Sequence, residues 1–166
     1  MLAHLAWRAA AEMDQGASSE RFVALAERLL ALNPSDNQFV REPLTRAYLV
    51  SGAPDKSLAL AERYPNDFCG PTLNRILALV RLGRRGEALG ALRDAASRHR
   101  VAVEMLLAEA PTRPKPDPGV VMGGKEEAWD YRAAQRALWE RDGALDWLRA
   151  AWSEVRKAHR PYTGEP

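Results

Sequence analysis

Turn signals recur along this chain at intervals that leave room for a helix and little else. Gly16-Ala17-Ser18, Asn33-Pro34, Gly52-Ala53-Pro54, Pro65-Asn66-Asp67, Gly83-Arg84, His99 and Asp142-Gly143 punctuate it. The pieces between them predict helices at 2–14, 19–32, 36–51, 55–64, 71–82, 85–98, 100–109, 125–140 and 143–158. Apolar residues inside them repeat with helical spacing: Leu73, Ile76, Leu77 and Val80; Ala88, Ala91, Leu92, Ala95 and Ala96; Ala144, Leu148, Ala151, Trp152 and Val155. Most joints are short, so successive helices must double back as antiparallel hairpins.

Composition agrees. The 166 residues include 29 Ala, 21 Leu and 20 Arg against 9 Val, 4 Thr and 1 Ile, so residues that favour strands are scarce and helix formers abound. The expected class is all-α. Local signals fit it: Ser35 and Gln38 match a capping box, Pro54 and Pro71 suit a helix's first turn, and Gly52 and Gly83 suit the left-handed position that ends one. Pro43 conflicts with a helix over 36–51 and predicts either a kink or a helix starting near Glu42. Segment 110–124 holds four prolines and three glycines, which rules out helix. It is expected to wrap across the helices, anchored by Val120, Val121 and Met122. Its one P-x-x-P match (Pro111 to Pro114) is a weak signal for a proline-reading partner.

Several function classes lose support. A single cysteine, Cys69, cannot form an internal disulfide. No run of about 18 apolar residues offers a membrane span. The first residues lack the basic, then apolar, pattern of a secretory signal, so the expected location is cytoplasmic. His4, His99, His159 and Cys69 are too scattered for a zinc site, and no metal or cofactor is expected. The glycines form no phosphate loop: Gly83-Arg-Arg-Gly86 and Gly123-Gly124 lack the Lys-Ser/Thr ending. No catalytic signature remains, so the chain is read as a non-enzyme.

Two segments repeat. Tyr48-x-x-x-Gly52 followed by Ser57, Leu58 and Ala61 recurs, 31 residues on, as Leu79-x-x-x-Gly83 followed by Ala88, Leu89 and Leu92. A period of about 30–35 with two helices per unit marks an α-solenoid. Gly83, Ala88, Leu92 and Ala95 resemble the turn Gly, small, bulky and small positions of the tetratricopeptide repeat (TPR). Segment 36–64 resembles it more loosely through Tyr48, Gly52, Ser57 and Ala61. Segment 2–34 is weaker still, with Phe22 where a small residue belongs. The runs Asn33–Arg41, Glu62–Asp67 and Gly123–Leu148 are similar to a group of bacterial TPR-like proteins with no assigned chemistry. This resemblance spans roughly 20–158. It implies one domain over 1–166: helical hairpins over 2–109, the wrap, and a capping helix pair over 125–158. It implies no activity.

In the TPR the first helix of each hairpin lines a concave groove. The resemblance therefore places Phe39, Glu42, Arg46, Leu49 and Val50, then Leu73, Asn74, Leu77 and Arg81, along such a groove. Arg46, Asn74 and Arg81 would grip a peptide carboxylate or backbone, with Phe39 and Leu73 taking apolar side chains. An unidentified protein or peptide is the expected partner. The alternative is a nucleic-acid-binding accessory protein using Arg84, Arg85, Arg98 and Arg100, from a stretch with six arginines between 81 and 100. No aromatic residue interleaves them, so base stacking has no platform. Four of the five tryptophans, at 129, 139, 147 and 152, lie in the last 40 residues. They are expected to close the end of the solenoid, the other reading being a homodimer patch.

Overall fold

The structure is a computed structural model and describes residues 20–65, 67–115, 119 and 121–158. The expected helix at 2–14, with His4 and Trp7, and also Asn66, Pro116, Pro118, Val120 and His159, lie outside the described residues. Among those described, eight α-helices and one short 3-10 turn form, and no strand does. The chain divides into two compact units, Met1–Arg84 and Arg85–Pro166.

The first unit holds α1 (Glu20–Leu32), α2 (Arg41–Val50), α3 (Pro54–Arg63) and α4 (Cys69–Arg81). Phe22, Ala26, Leu29 and Leu30 of α1 recur at helical spacing and bury against Val40, Leu44, Ala47 and Tyr48. Phe22 is 1% exposed, and removing it from water contributes about 1.5–3 kcal/mol. Helix α2 starts at Arg41, not at 36, which puts Pro43 in the first turn, where its missing N–H breaks no helical bond. The expected capping box does not form. The carboxylate of Asp36 accepts from the backbone N–H groups of Val40 and Arg41, both at 3.0 Å, whereas Gln38 accepts from Asn33. Asp carries two acceptor oxygens and tolerates the left-handed backbone (φ 49°) needed to aim them forward; Ser35 has one hydroxyl and stays exposed.

Helix α2 ends at a Schellman turn. The N–H of Gly52 (φ 76°) bonds the Leu49 carbonyl, and that of Ala53 bonds the Tyr48 carbonyl. Helix α4 ends identically: Gly83 (φ 74°) bonds Val80, and Arg84 bonds Leu79. The repeated sequence thus makes a repeated turn. After the first, Pro54 opens α3, which doubles back on α2, and buried Ser57 donates its hydroxyl to the Thr45 carbonyl at 3.0 Å.

Helices α2 and α4 then lie side by side pointing the same way. Glu42 presses on Gly70, where an added Cβ would fall 2.2 Å from the carboxylate. One turn on, Asn74 Nδ2 donates to Thr45 Oγ1 at 2.9 Å; two turns further along α4, the Arg81 guanidinium donates to the Leu49 carbonyl, one turn past Thr45, at 2.7 Å. The partners climb together, which defines a parallel pair. Ten of the thirteen α4 residues are buried, starting with Cys69 at 1% exposure. Only Thr72, Arg75 and Arg81 stay partly exposed, so α4 is an almost fully buried rod.

The second unit holds α5 (Arg85–Ala95), α6 (Arg100–Leu107), α7 (Lys125–Trp139), a 3-10 turn (Arg141–Gly143) and α8 (Ala144–Ala158). Helix α7 packs on α6, and α8 packs on α5 and α6. The stripes read from the sequence are the core: Ala88, Ala91, Leu92, Ala95 and Ala96 meet Leu148, Ala151, Trp152 and Val155, all buried. Trp139 is fully buried and its indole N–H donates to the Tyr131 hydroxyl at 2.9 Å. The last carbonyls of α6 have no intrahelical donors. Two arginines from α7 supply them: Arg132 bonds the Met105 and Leu106 carbonyls at 2.9 Å each, and Arg136 bonds those of Leu106 and Ala108. Burial and the nearby Arg136 charge lower the Arg132 pKa.

Segment 110–124 is non-helical wherever it is described. Two of its expected anchors lie open, Val121 at 56% and Met122 at 47% exposed, and the third, Val120, lies outside the described residues. Hydrogen bonds hold its far end, where Gly123 N–H donates to Glu127 and Gly124 N–H to the Val121 carbonyl. A backbone that finds polar partners at both turns needs no apolar anchor.

Candidate functional site

The most constrained polar constellation in the first unit surrounds Arg41 at the start of α2. Its guanidinium makes a two-pronged contact with the Asp67 carboxylate and a 2.9 Å contact with Asp36. The planar fork matches carboxylate geometry, which is why arginine serves here and lysine would not. The rings of Phe39 and Tyr64 stand 5.1 and 5.2 Å from the guanidinium carbon, within cation–π range. The Tyr64 hydroxyl donates to the Pro34 carbonyl at 2.7 Å and ties the α1–α2 connection to the end of α3. The two acids raise the Arg41 pKa, so the guanidinium keeps its charge across the whole ordinary pH range.

This knot holds one side chain outward. Phe39 is 59% exposed and sits in the left-handed region (φ 53°), rare for an aromatic residue. Its ring meets the edge of Phe68 at 6.3 Å. Strain of this kind persists only where neighbours over-determine the backbone, and here Arg41, Asp36 and Phe68 do so.

The other groove candidates separate into two groups. Leu73, Asn74 and Leu77 are each 0% exposed. Asn74 is committed to Thr45, and the two leucines are core, so these three offer a ligand no surface in this arrangement. Glu42, Arg46 and Arg81 are half-buried and Val50 is exposed. Glu42 is pressed against Gly70, and Arg81 is tied to the Leu49 carbonyl. Arg46 also has a buried Nε, and that atom meets no acceptor. A guanidinium N–H taken from water and left unbonded costs free energy that an incoming acceptor would recover.

The arginines of the nucleic-acid alternative do not gather. Arg84 precedes α5 and Arg85 opens it, while Arg98 and Arg100 follow it. A helix the length of α5 separates its ends by about 16 Å. Of the C-terminal tryptophans, Trp139 and Trp152 are core, and Trp129 and Trp147 are half-buried. Among the described residues, no three His, Cys, Asp or Glu side chains converge as a metal-binding group, and no helix is long and apolar enough to cross a membrane.

Sequence reasoning missed Asp36, Arg41, Tyr64, Asp67 and Phe68 as the frame behind Phe39. A signal was present. The two runs singled out beyond the repeat, Asn33–Arg41 and Glu62–Asp67, are the ones that meet through Arg41–Asp67 and Tyr64–Pro34. Compared with known proteins, the chain matches no family model, no curated protein and no solved structure.

Proposed function

We propose that this chain is a TPR-like, non-enzymatic interaction module that docks a segment of a partner protein against the first unit, at the start and outer edge of α2. The α-solenoid reading rests chiefly on the parallel α2–α4 pair, with α3 running back between them in sequence. Helices related by one repeat run in the same direction in a solenoid, and the Asn74–Thr45 and Arg81–Leu49 contacts, 29 and 32 residues apart, keep that relation over two turns. The matched Schellman turns at Gly52 and Gly83 support the same period.

The contact chemistry is an apolar anchor beside a guanidinium. Phe39 would receive an apolar side chain, as aromatic hot spots do. The half-buried Arg46 guanidinium would donate to a carboxylate or backbone carbonyl. Panning a random peptide display library against the full chain, with fluorescence polarisation on the selected peptides, tests this. Phe39→Ala and Arg46→Ala should each weaken binding by about tenfold or more while leaving the melting temperature unchanged. Selected peptides that bind the double variant as well as the original chain would overturn the placement. Oligonucleotide binding that is tight at physiological salt and lost on changing Arg84 and Arg85 would overturn the choice of partner.

A further inference from the structure

The second unit carries a cavity of about 860 Å³ between the α5–α6 corner and α8. That volume suits a small-molecule ligand. Arg100, Arg149, Arg156 and Lys157 line it, and among the described residues no carboxylate does. The floor is apolar, with Leu107, Val155 and Trp152. Ser97 and Ser153 add hydroxyls.

The charges have no complete explanation within the chain. Arg100 pairs with Glu104 and Arg149 with Asp146, but both pairs are solvent-exposed, and such pairs exchange easily for a better acceptor. Arg156 and Lys157 have no acidic partner among the described residues, which leaves two unopposed positive charges. The negative end of the α8 dipole favours cations in the last turn, which accounts for those two and not for Arg149, two turns earlier. Arg100 sits at the wrong end of its helix: it opens α6, where the dipole favours an acid, and the first turn contains none. The unbonded N–H groups of that turn add the same sign. Finally, Trp152 is 5% exposed and its indole N–H is buried without an acceptor. Every group that departs from its own local preference here is a donor or a cation.

We propose that this cavity binds the phosphoryl group of a small phosphate ester with an apolar body. A phosphate monoester carries a charge of about −1.5 to −2 at neutral pH, which matches the two unopposed cations better than a single carboxylate does. Its oxygens suit the arginine forks, and the body lies on the floor made by Leu107, Val155 and Trp152. The site lies wholly within the second unit and is independent of the peptide site on the first.

Phenyl phosphate, inorganic phosphate and benzoate are the probes, titrated calorimetrically into the full chain with tryptophan fluorescence as a second readout. Phenyl phosphate should bind, inorganic phosphate about tenfold more weakly for want of the apolar body, and benzoate more weakly still. Combining Arg156→Ala and Lys157→Ala, both exposed, should cost about tenfold or more in affinity with an unchanged melting temperature. Trp152→Phe should abolish the fluorescence response. No heat at millimolar phenyl phosphate would overturn the site, and benzoate binding as well as phenyl phosphate would overturn the phosphoryl assignment. A single-stranded oligonucleotide or a phosphoserine peptide that outcompetes phenyl phosphate would overturn the small-molecule assignment.

Discussion

Replacing Arg41 by methionine leaves two carboxylates facing each other without a counter-charge. The side chains of Asp36 and Asp67 are 1% and 6% exposed, and that of Arg41 is 14% exposed, so water reaches none of them freely. Three side-chain contacts disappear at once, two from Asp67 and one from Asp36. Asp36 keeps its two backbone donors, and Asp67 keeps the Phe68 N–H. The remaining penalty is that of one broken buried pair, about 3–5 kcal/mol, not the sum of three strong bonds. For a unit of this size, where each kcal/mol moves the midpoint by about 4–8 °C, that is a drop of at least about 12 °C. Thermal and urea melts followed by far-UV circular dichroism measure it. Adding Asp67→Asn removes one stranded charge and should restore part of the loss, because the two changes act on one network. A loss below about 1 kcal/mol would mean that the pair behaves as a solvated surface bridge, and the reasoning would fail.

Four further outcomes are expected. Gly52→Ala and Gly83→Ala meet no neighbouring atoms, so both should cost only the left-handed strain, about 1–2 kcal/mol each; clearly unequal losses would refute the equivalence of the two turns. Changing both Arg132 and Arg136 to alanine strips the carbonyls at the end of α6 and should destabilise the second unit by about 1–3 kcal/mol, with faster amide exchange across 100–109 as the check. Leu92→Asp buries an unpaired charge at a 0% exposed position and should unfold the second unit; a near-normal melting temperature would refute that packing. Burial, reinforced by the hydrogen bond to Glu27, raises the Tyr48 hydroxyl pKa above its ordinary value of 10.0, so the unfolded phenol ionises first. That contribution is intact below about pH 10 and is lost as pH rises beyond it, and Tyr48→Phe should flatten the alkaline slope of stability.

The helices and their buried faces were legible because burial imposes a period on the sequence. Leu92, Ala95, Leu148 and Val155 lie where a 3.6-residue stripe puts them. The start of α2 was half legible: Pro43 flagged the conflict, but the cap comes from Asp36, five residues before the first residue of α2, a spacing no capping box predicts. The groove positions show the opposite failure. Counting from the repeat assigned Leu73, Asn74 and Leu77 to a ligand, although the run Leu73–Val80, apolar but for Asn74 and Arg75, already described a helix covered over most of its surface. The Arg41 network was not legible, because an ion pair between residues 41 and 67 leaves no periodic trace. Nor was the cationic cavity, which brings the α5–α6 corner and two residues of α6 against α8, segments joined only by folding.

The inaccessibility of Cys69 gives the chain a built-in clock. It is the sole thiol in the sequence, it is 1% exposed, and it opens the almost fully buried α4. A maleimide or disulfide reagent can reach that sulfur only when the first turn of α4 detaches, so modification kinetics count those detachments directly. Changes at Asp36, Arg41 or Gly52 can then be ranked by how often the rod lets go, without any introduced probe.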